Sequence, residues 1–351
     1  MNDVLNVDLD CIIFGLQRFG GISRYWAKLV EHVSRAPQLR YRLTLPRQVT
    51  YGDFDDAWIR CASASRERLT ARVSRYLQAS VSDNARIFHT SYYRLPDRRV
   101  DRYVVSAYDF TYERYRAGLA RVIHSTQKLA SIRRADAVLC ISDSTRRDIL
   151  EFCPGVDHTR LHVVYLGVDR DAFFPEVTSP VEPRQTVLFV GQRGGYKRFD
   201  LAVAALRCSP RLSLGIVGPP LTQEERETLQ ENLGSRWVEH GPVNTPELRR
   251  LYSSAFAFVF PSDYEGFGLP MLEAMACGCP VVAADRSSLP EVGGTAALYA
   301  GRQEPDDYAA ALHALHSAAR RSDVICAGFQ RIEAFAWTQT MNQTVAIYTA
   351  R

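Results

Sequence analysis

No apolar run in this chain of 351 residues approaches the roughly 20 residues that a membrane-spanning helix needs. The opening MNDVLNVDLD lacks the basic and apolar regions of a secretory signal. The eight cysteines (positions 11, 61, 140, 153, 208, 277, 279 and 326) include no Cys-x-x-Cys pair, and Cys277-Gly-Cys279 has no companion pair with which to hold zinc. Together these absences predict a cytoplasmic chain with reduced, structural thiols. No Gly-x-Gly-x-x-Gly follows the first predicted strand, which disfavours a dinucleotide-dependent oxidoreductase. No helix-turn-helix or stacking-aromatic pattern accompanies the basic residues, so no nucleic-acid partner is expected.

What is present is a globular composition, 46% hydrophobic and 23% charged, in a chain too long for one compact core. Two domains are expected, with the boundary in residues 170–185, which hold three prolines and no periodicity. The net charge of +4 is unevenly spread: residues 1–170 carry 27 Lys and Arg against 19 Asp and Glu, and residues 171–351 carry 16 against 20. A basic first half suits an anionic membrane surface or an acidic substrate. Residues 58–79 read as an arginine-rich helix, with Leu69, Val73, Tyr76 and Leu77 on one stripe and Arg68, Arg72 and Arg75 on another. Such a helix is either a solvated face or one that lies on anionic lipid headgroups.

Residues 4–14 read as the first strand, and helical spacing from Ile22 to Val33 opens a helix just after Gly20-Gly21. Bare N–H groups at such a helix start can face an anion. Residues 135–142 read as a strand, followed by a helix from Thr145 with Asp143 or Ser144 as its cap. In the second half, a strand over 186–191 runs into a loop carrying Arg193 and Lys197 ahead of a helix from about Phe199. Fixed cations beside a helix N-terminus suit a diphosphate.

The densest signal lies in residues 260–294. Glu265 and Glu273 stand with seven residues between them, around Gly266-Phe267-Gly268. The glycines let backbone approach a ligand closely, and the helix starts at Leu269-Pro270 and stops at Gly278. Strand, glycine turn, helix and strand form one unit of a parallel sheet, whose ligands bind at the carboxyl ends of the strands.

The run from Glu265 to Glu273, EGFGLPMLE, resembles the signature of retaining nucleotide-sugar glycosyltransferases of family four. Their architecture is GT-B: α/β, with two Rossmann-like parallel-sheet domains facing across a cleft and a C-terminal helix crossing back to the first. The resemblance implies an acceptor-side domain over 1–170, a nucleotide-sugar-binding domain over 171–335 and the crossing helix over 336–351. It implies transfer of a sugar from a nucleoside diphosphate sugar to a hydroxyl. Glu265 then faces the sugar, and Glu273 accepts from the ribose hydroxyls. Gly266, Phe267, Gly268 and Leu269 offer backbone N–H groups, and Val243 meets the nucleobase. Arg193 and Lys197 offset charge growing on the diphosphate; Gly20 and Gly21 face it across the cleft, where Asp109 also lies. With this cationic set, and with no Asp-x-Asp element expected to hold one, no divalent metal is needed, and no other cofactor is expected.

Three residues depart from the family pattern, one of them Leu166, which stands where the turn Asn-Gly-Val-Asp that closes the first domain has its asparagine. Tyr108 replaces the histidine that commonly precedes the aspartate, with His89 and His124 the nearest substitutes, and Gln192 takes the slot usual for the arginine. The loop's Arg193-x-x-Tyr196-Lys197 resembles mannosyl- and rhamnosyltransferases of surface polysaccharides. The expectation is therefore hexose transfer from a GDP donor to a lipid-linked oligosaccharide or polysaccharide, such as the O-antigen of lipopolysaccharide. The enzyme would be peripheral on the inner membrane face. The alternatives are a UDP-sugar donor with a soluble or protein acceptor, and a catalytically silent scaffold, which Tyr108 alone supports.

Overall fold

The apolar runs become short strands buried on both faces, as parallel sheets flanked by helices require; Ala257–Phe260 and Val281–Ala284 are buried at every residue. The structure is a computed structural model that describes residues 4–18, 20–52, 55, 57–60, 63–176 and 185–350. Its strands are β1 (Leu5–Asp10), β2 (Leu39–Leu45), β3 (Ser63–Arg66), β4 (Ile87–Thr90), β5 (Arg102–Ala107), β6 (Ala137–Cys140) and β7 (Leu161–Val163), then β8 (Thr186–Val190), β9 (Ser213–Val217), β10 (Trp237–Gly241), β11 (Ala257–Phe260), β12 (Val281–Ala284) and β13 (Ala297–Ala300). They form two parallel sheets, ordered β3-β2-β1-β4-β5-β6-β7 and β10-β9-β8-β11-β12-β13. Strand order reverses between β1 and β4 in one sheet and between β8 and β11 in the other. Doubly wound sheets bind ligands outside the carboxyl ends of the strands at such a reversal.

The chain divides into two compact units, Met1–Leu166 with Trp337–Arg351, and Gly167–Ala336. The division precedes the proline-rich stretch. Val168 bridges to Ala336, and Phe173 is buried against Tyr252, so the start of that stretch belongs to the second unit. The rest of it, residues 177–184, lies outside the described residues. The helix Trp337–Thr349 is part of the first unit, where Tyr348 Oη lies 2.6 Å from His89 Nδ1 and Thr340 Oγ1 donates to the Tyr165 carbonyl at 2.7 Å.

Three local expectations change. The first strand ends at Asp10, and Ile12–Gly15 coils into a 3-10 turn. Residues 58–79 are not one helix: Ala57–Arg60 and Ala71–Ser74 are single turns on either side of β3. Pairing with β2 captures the middle, where Arg42 Nη2 donates to Ser65 Oγ at 2.9 Å, so tertiary pairing overrides the helical pattern. The helix Asp143–Phe152 begins earlier than expected because Ser142 is its cap, its Oγ accepting from Thr145 N at 2.9 Å. The seven described cysteines form no disulfide.

Candidate functional site

Two loops at the carboxyl ends of β8 and β11, either side of the strand-order reversal, carry Arg193, Lys197, Glu265, Gly266, Phe267 and Gly268. The loop after β8 crosses the one after β9 so closely that a Cβ on Gly218 would lie 2.3 Å from the Gly191 carbonyl oxygen. Both residues have positive φ (152° and 126°), so only glycine serves there. The chain then tightens into the 3-10 turn Gly195–Lys197 before the helix Phe199–Arg207. This aims Lys197 at the second loop, and its Nζ donates to Glu265 Oε1 at 2.5 Å. The pair is mostly shielded, with 19% and 13% of the two side chains exposed.

Glu265 is held from behind. Ser287 Oγ and Ser288 Oγ donate to its carbonyl at 2.7 and 2.9 Å, and Ser288 Oγ also donates to the Phe267 carbonyl at 2.9 Å. These two serines carry no local signal in the sequence, and only the fold brings them under the Glu265 turn. Gly268 caps the helix Leu269–Ala276 at φ 106°, where a Cβ would also meet Leu289 Cδ2 at 3.0 Å. No side chain caps that helix start. Phe267 is buried edge-on against Phe335, so only its backbone can face a ligand; the Leu269 side chain is buried too. Glu273 lies on the same helix and is 6% exposed. Burial, with the charge of Glu273 adding to it, pushes the Cys277 thiol up to about 12. Val243 is half-buried between Gly241, at φ 70°, and Asn244, which caps the next helix.

Arg193 does not join Lys197. Its guanidinium is committed to Glu225 (Nε to Oε1 2.7 Å, Nη2 to Oε2 3.1 Å) and to the carbonyls of Pro219 and Pro220 at 2.8 and 2.9 Å. The expected diphosphate ligand is here a clamp between loops, with 6% of its side chain exposed.

In the first unit, Gly20 and Gly21 open the helix Gly21–Ser34, and no side chain caps it. The Asp109 carboxylate caps the following turn instead of standing free: its Oδ1 accepts from Thr111 N at 2.9 Å. Tyr108 is no substitute histidine, since its buried hydroxyl accepts from Trp26 Nε1 at 2.6 Å. Neither histidine compensates. His89 is sealed between Tyr348 and Ser106, and burial lowers its pKa to about 3. His124 stacks on Tyr112 at 4.1 Å. An Asp-x-Asp tripeptide does occur in β1, Asp8-Leu9-Asp10, with both carboxylates on one face of the strand, but an arginine occupies each. Asp8 is paired with Arg42 and Asp10 with Arg94, each at 2.9 Å.

Residues 19–172 match Glycosyltransferase Family 4, and residues 170–331 match Glycosyl transferases group 1. The chain is 33% identical over 256 residues to an alpha-maltose-1-phosphate synthase of Mycolicibacterium smegmatis, covering 64% of this chain and 66% of that one. It is 41% identical over 114 residues to O-antigen chain mannosyltransferase B of Escherichia coli, covering 32% and 30%. The matches thus span two thirds or less of these curated relatives. Among solved structures, a sucrose-phosphate synthase from Thermosynechococcus elongatus superposes with TM-score 0.76 at 20% identity over 98% of both chains, a likeness of fold. With one family matched in each half and the fold shared throughout, the chain belongs to the GT-B glycosyltransferases, family 4 in its first half and group 1 in its second.

Proposed function

We propose that this chain transfers a hexose from a nucleoside diphosphate sugar to a hydroxyl of a lipid-linked glycan, with retained configuration and without a metal ion. The observation that carries the reading is the Lys197–Glu265 pair at the β8/β11 reversal, beside a helix that starts without a side-chain cap and carries the buried Glu273. Breaking a glycosidic bond to a diphosphate grows negative charge on the phosphates and positive charge on the sugar. Fixed donors aimed at that negative charge are usually the largest catalytic term. Lys197 exchanges Glu265 for the diphosphate as the donor binds, which frees Glu265 for the sugar hydroxyls. Glu273 accepts from the ribose, as a carboxylate can from two hydroxyls at once. Arg193 acts through the loop it clamps.

Identity to an O-antigen mannosyltransferase supports mannose or a related sugar, from a GDP donor, and a surface-polysaccharide acceptor. No described helix is long and apolar enough to cross a membrane. Exposed Leu69, Val73, Leu119 and Val122 support peripheral contact with an anionic bilayer through the basic first half. The likeness to an alpha-maltose-1-phosphate synthase favours a second reading, transfer to a soluble acceptor. A thermal-shift panel of GDP-, UDP- and dTDP-linked sugars tests the donor, since a bound ligand stabilises by mass action. Stabilisation by none of them overturns the reading.

A further inference from the structure

The strand-order reversal of the first unit has a cavity of its own. It encloses about 400 Å3 and is lined by Ile13, Leu16 and Gln17 from the loop after β1, Tyr92 from the loop after β4, and Arg72 and Arg75 from the segment between β3 and β4. No carboxylate is among the described residues that line it. Arg72 is exposed and forms no ion pair or hydrogen bond with a described residue. Arg75 lies over the rings of Tyr76 and Tyr92, at 4.5 and 5.5 Å, and among the described residues its side chain donates only to the Tyr76 hydroxyl. Its Nε is shielded from solvent without a partner, and so is Oε1 of Gln17. Two orphaned polar atoms and two uncompensated guanidinium groups in one cavity are an unfilled hydrogen-bonding demand. The Tyr92 hydroxyl, protonated at neutral pH like any tyrosine and pushed further up to about 12 by burial, has a proton to donate.

We infer that this cavity binds a phosphate group carried by the acceptor, with Arg72, Arg75 and Tyr92 on the phosphate oxygens and Gln17 Oε1 taking a sugar hydroxyl. The inference rests on the transferase reading above and supplies the acceptor's chemical class. Planar guanidinium donors match phosphate oxygens in pairs, and a charge-assisted bond is roughly twice as strong as a neutral one. Gly20 ties the cavity to the predicted helix start, since a Cβ there would lie 2.6 Å from Gln17 Oε1. The phosphate could belong to a sugar phosphate or to a lipid carrier. Val73, Tyr76 and Leu77, 45–50% exposed beside the arginines, suit the second source.

Two measurements on the full chain separate these sources. One titrates mannose 1-phosphate calorimetrically; the other follows cosedimentation with phosphatidylcholine vesicles with and without phosphatidylglycerol. In Arg72→Ala/Arg75→Gln, binding in at least one arm should weaken about tenfold or more, and Arg72→Lys/Arg75→Lys should recover part of it. Loss in the first arm names a soluble phosphate, and loss in the second a lipid-borne one. Unchanged binding in both arms overturns the inference. So does a vesicle-arm loss that Arg116→Ala/Arg121→Ala, outside the cavity, reproduces in full with the soluble arm unchanged. The transferase reading fails separately, in the nucleotide-sugar panel on the unmodified chain.

Discussion

Replacing Lys197 by alanine should separate catalysis from folding. The ammonium lies 2.5 Å from Glu265 Oε1, and both side chains are largely shielded. Removing one partner of a fully buried pair costs about 3–5 kcal/mol. Here Glu265 keeps 13% of its side chain exposed, so water can replace the ammonium and about 1–3 kcal/mol of stability is expected to be lost. The kinetic effect should be larger: one fixed donor to a developing negative charge is worth about a hundred- to a thousandfold in kcat, or roughly 3–4 kcal/mol. Urea unfolding reads the first quantity and single-turnover transfer the second. Glu265→Gln should lose turnover while nucleotide affinity is largely kept. The double variant should lose less than the sum of the singles, because the two groups share one interaction. Transfer by Lys197→Ala within threefold of the unmodified chain would refute the role given to this cation.

Other substitutions probe the remaining assignments. Glu273→Ala should weaken nucleoside diphosphate binding about tenfold or more in calorimetry, and unchanged affinity removes it from the ribose site. Arg193→Ala should cost about 2–4 kcal/mol in urea unfolding, since it empties a shielded clamp of a carboxylate and two carbonyls; a stability change below about 0.5 kcal/mol would return Arg193 to the ligand. Acid sensitivity should start with His89. Its pKa falls from 6.5 to about 3 on folding, so its contribution is complete above pH 6.5 and is lost as pH drops from there toward 3, roughly 4–5 kcal/mol in all. Glu113 adds a second, lower step: burial alone would raise it, but the Lys128 charge and hydrogen bonds from Lys128 and Ser125 outweigh that and hold it at about 2. Its stability is lost between about pH 4.5 and 2. Unfolding curves from pH 7 to 4 should flatten in His89→Gln, and an unaltered slope contradicts this account.

Local chemistry alone determined much of this protein. Apolar runs buried on both faces announce parallel strands, and the EGFGLPMLE run announces a left-handed glycine turn with a helix behind it, because only glycine takes φ 106° at Gly268. Family membership follows from the same residues. What the sequence could not say is which charged groups are free to act. Arg193 and Asp109 have the right type and place, yet one is taken by Glu225 and the other by a backbone N–H. The helix expected over 58–79 is broken because β2 pairs with its middle. Ser287 and Ser288 sit more than twenty residues along the chain from the Glu265 turn they hold. Each of these outcomes is a competition between partners far apart in sequence. Propensity and spacing rank the candidates, and only the folded chain, by bringing the competing donors and acceptors within bonding distance, chooses among them.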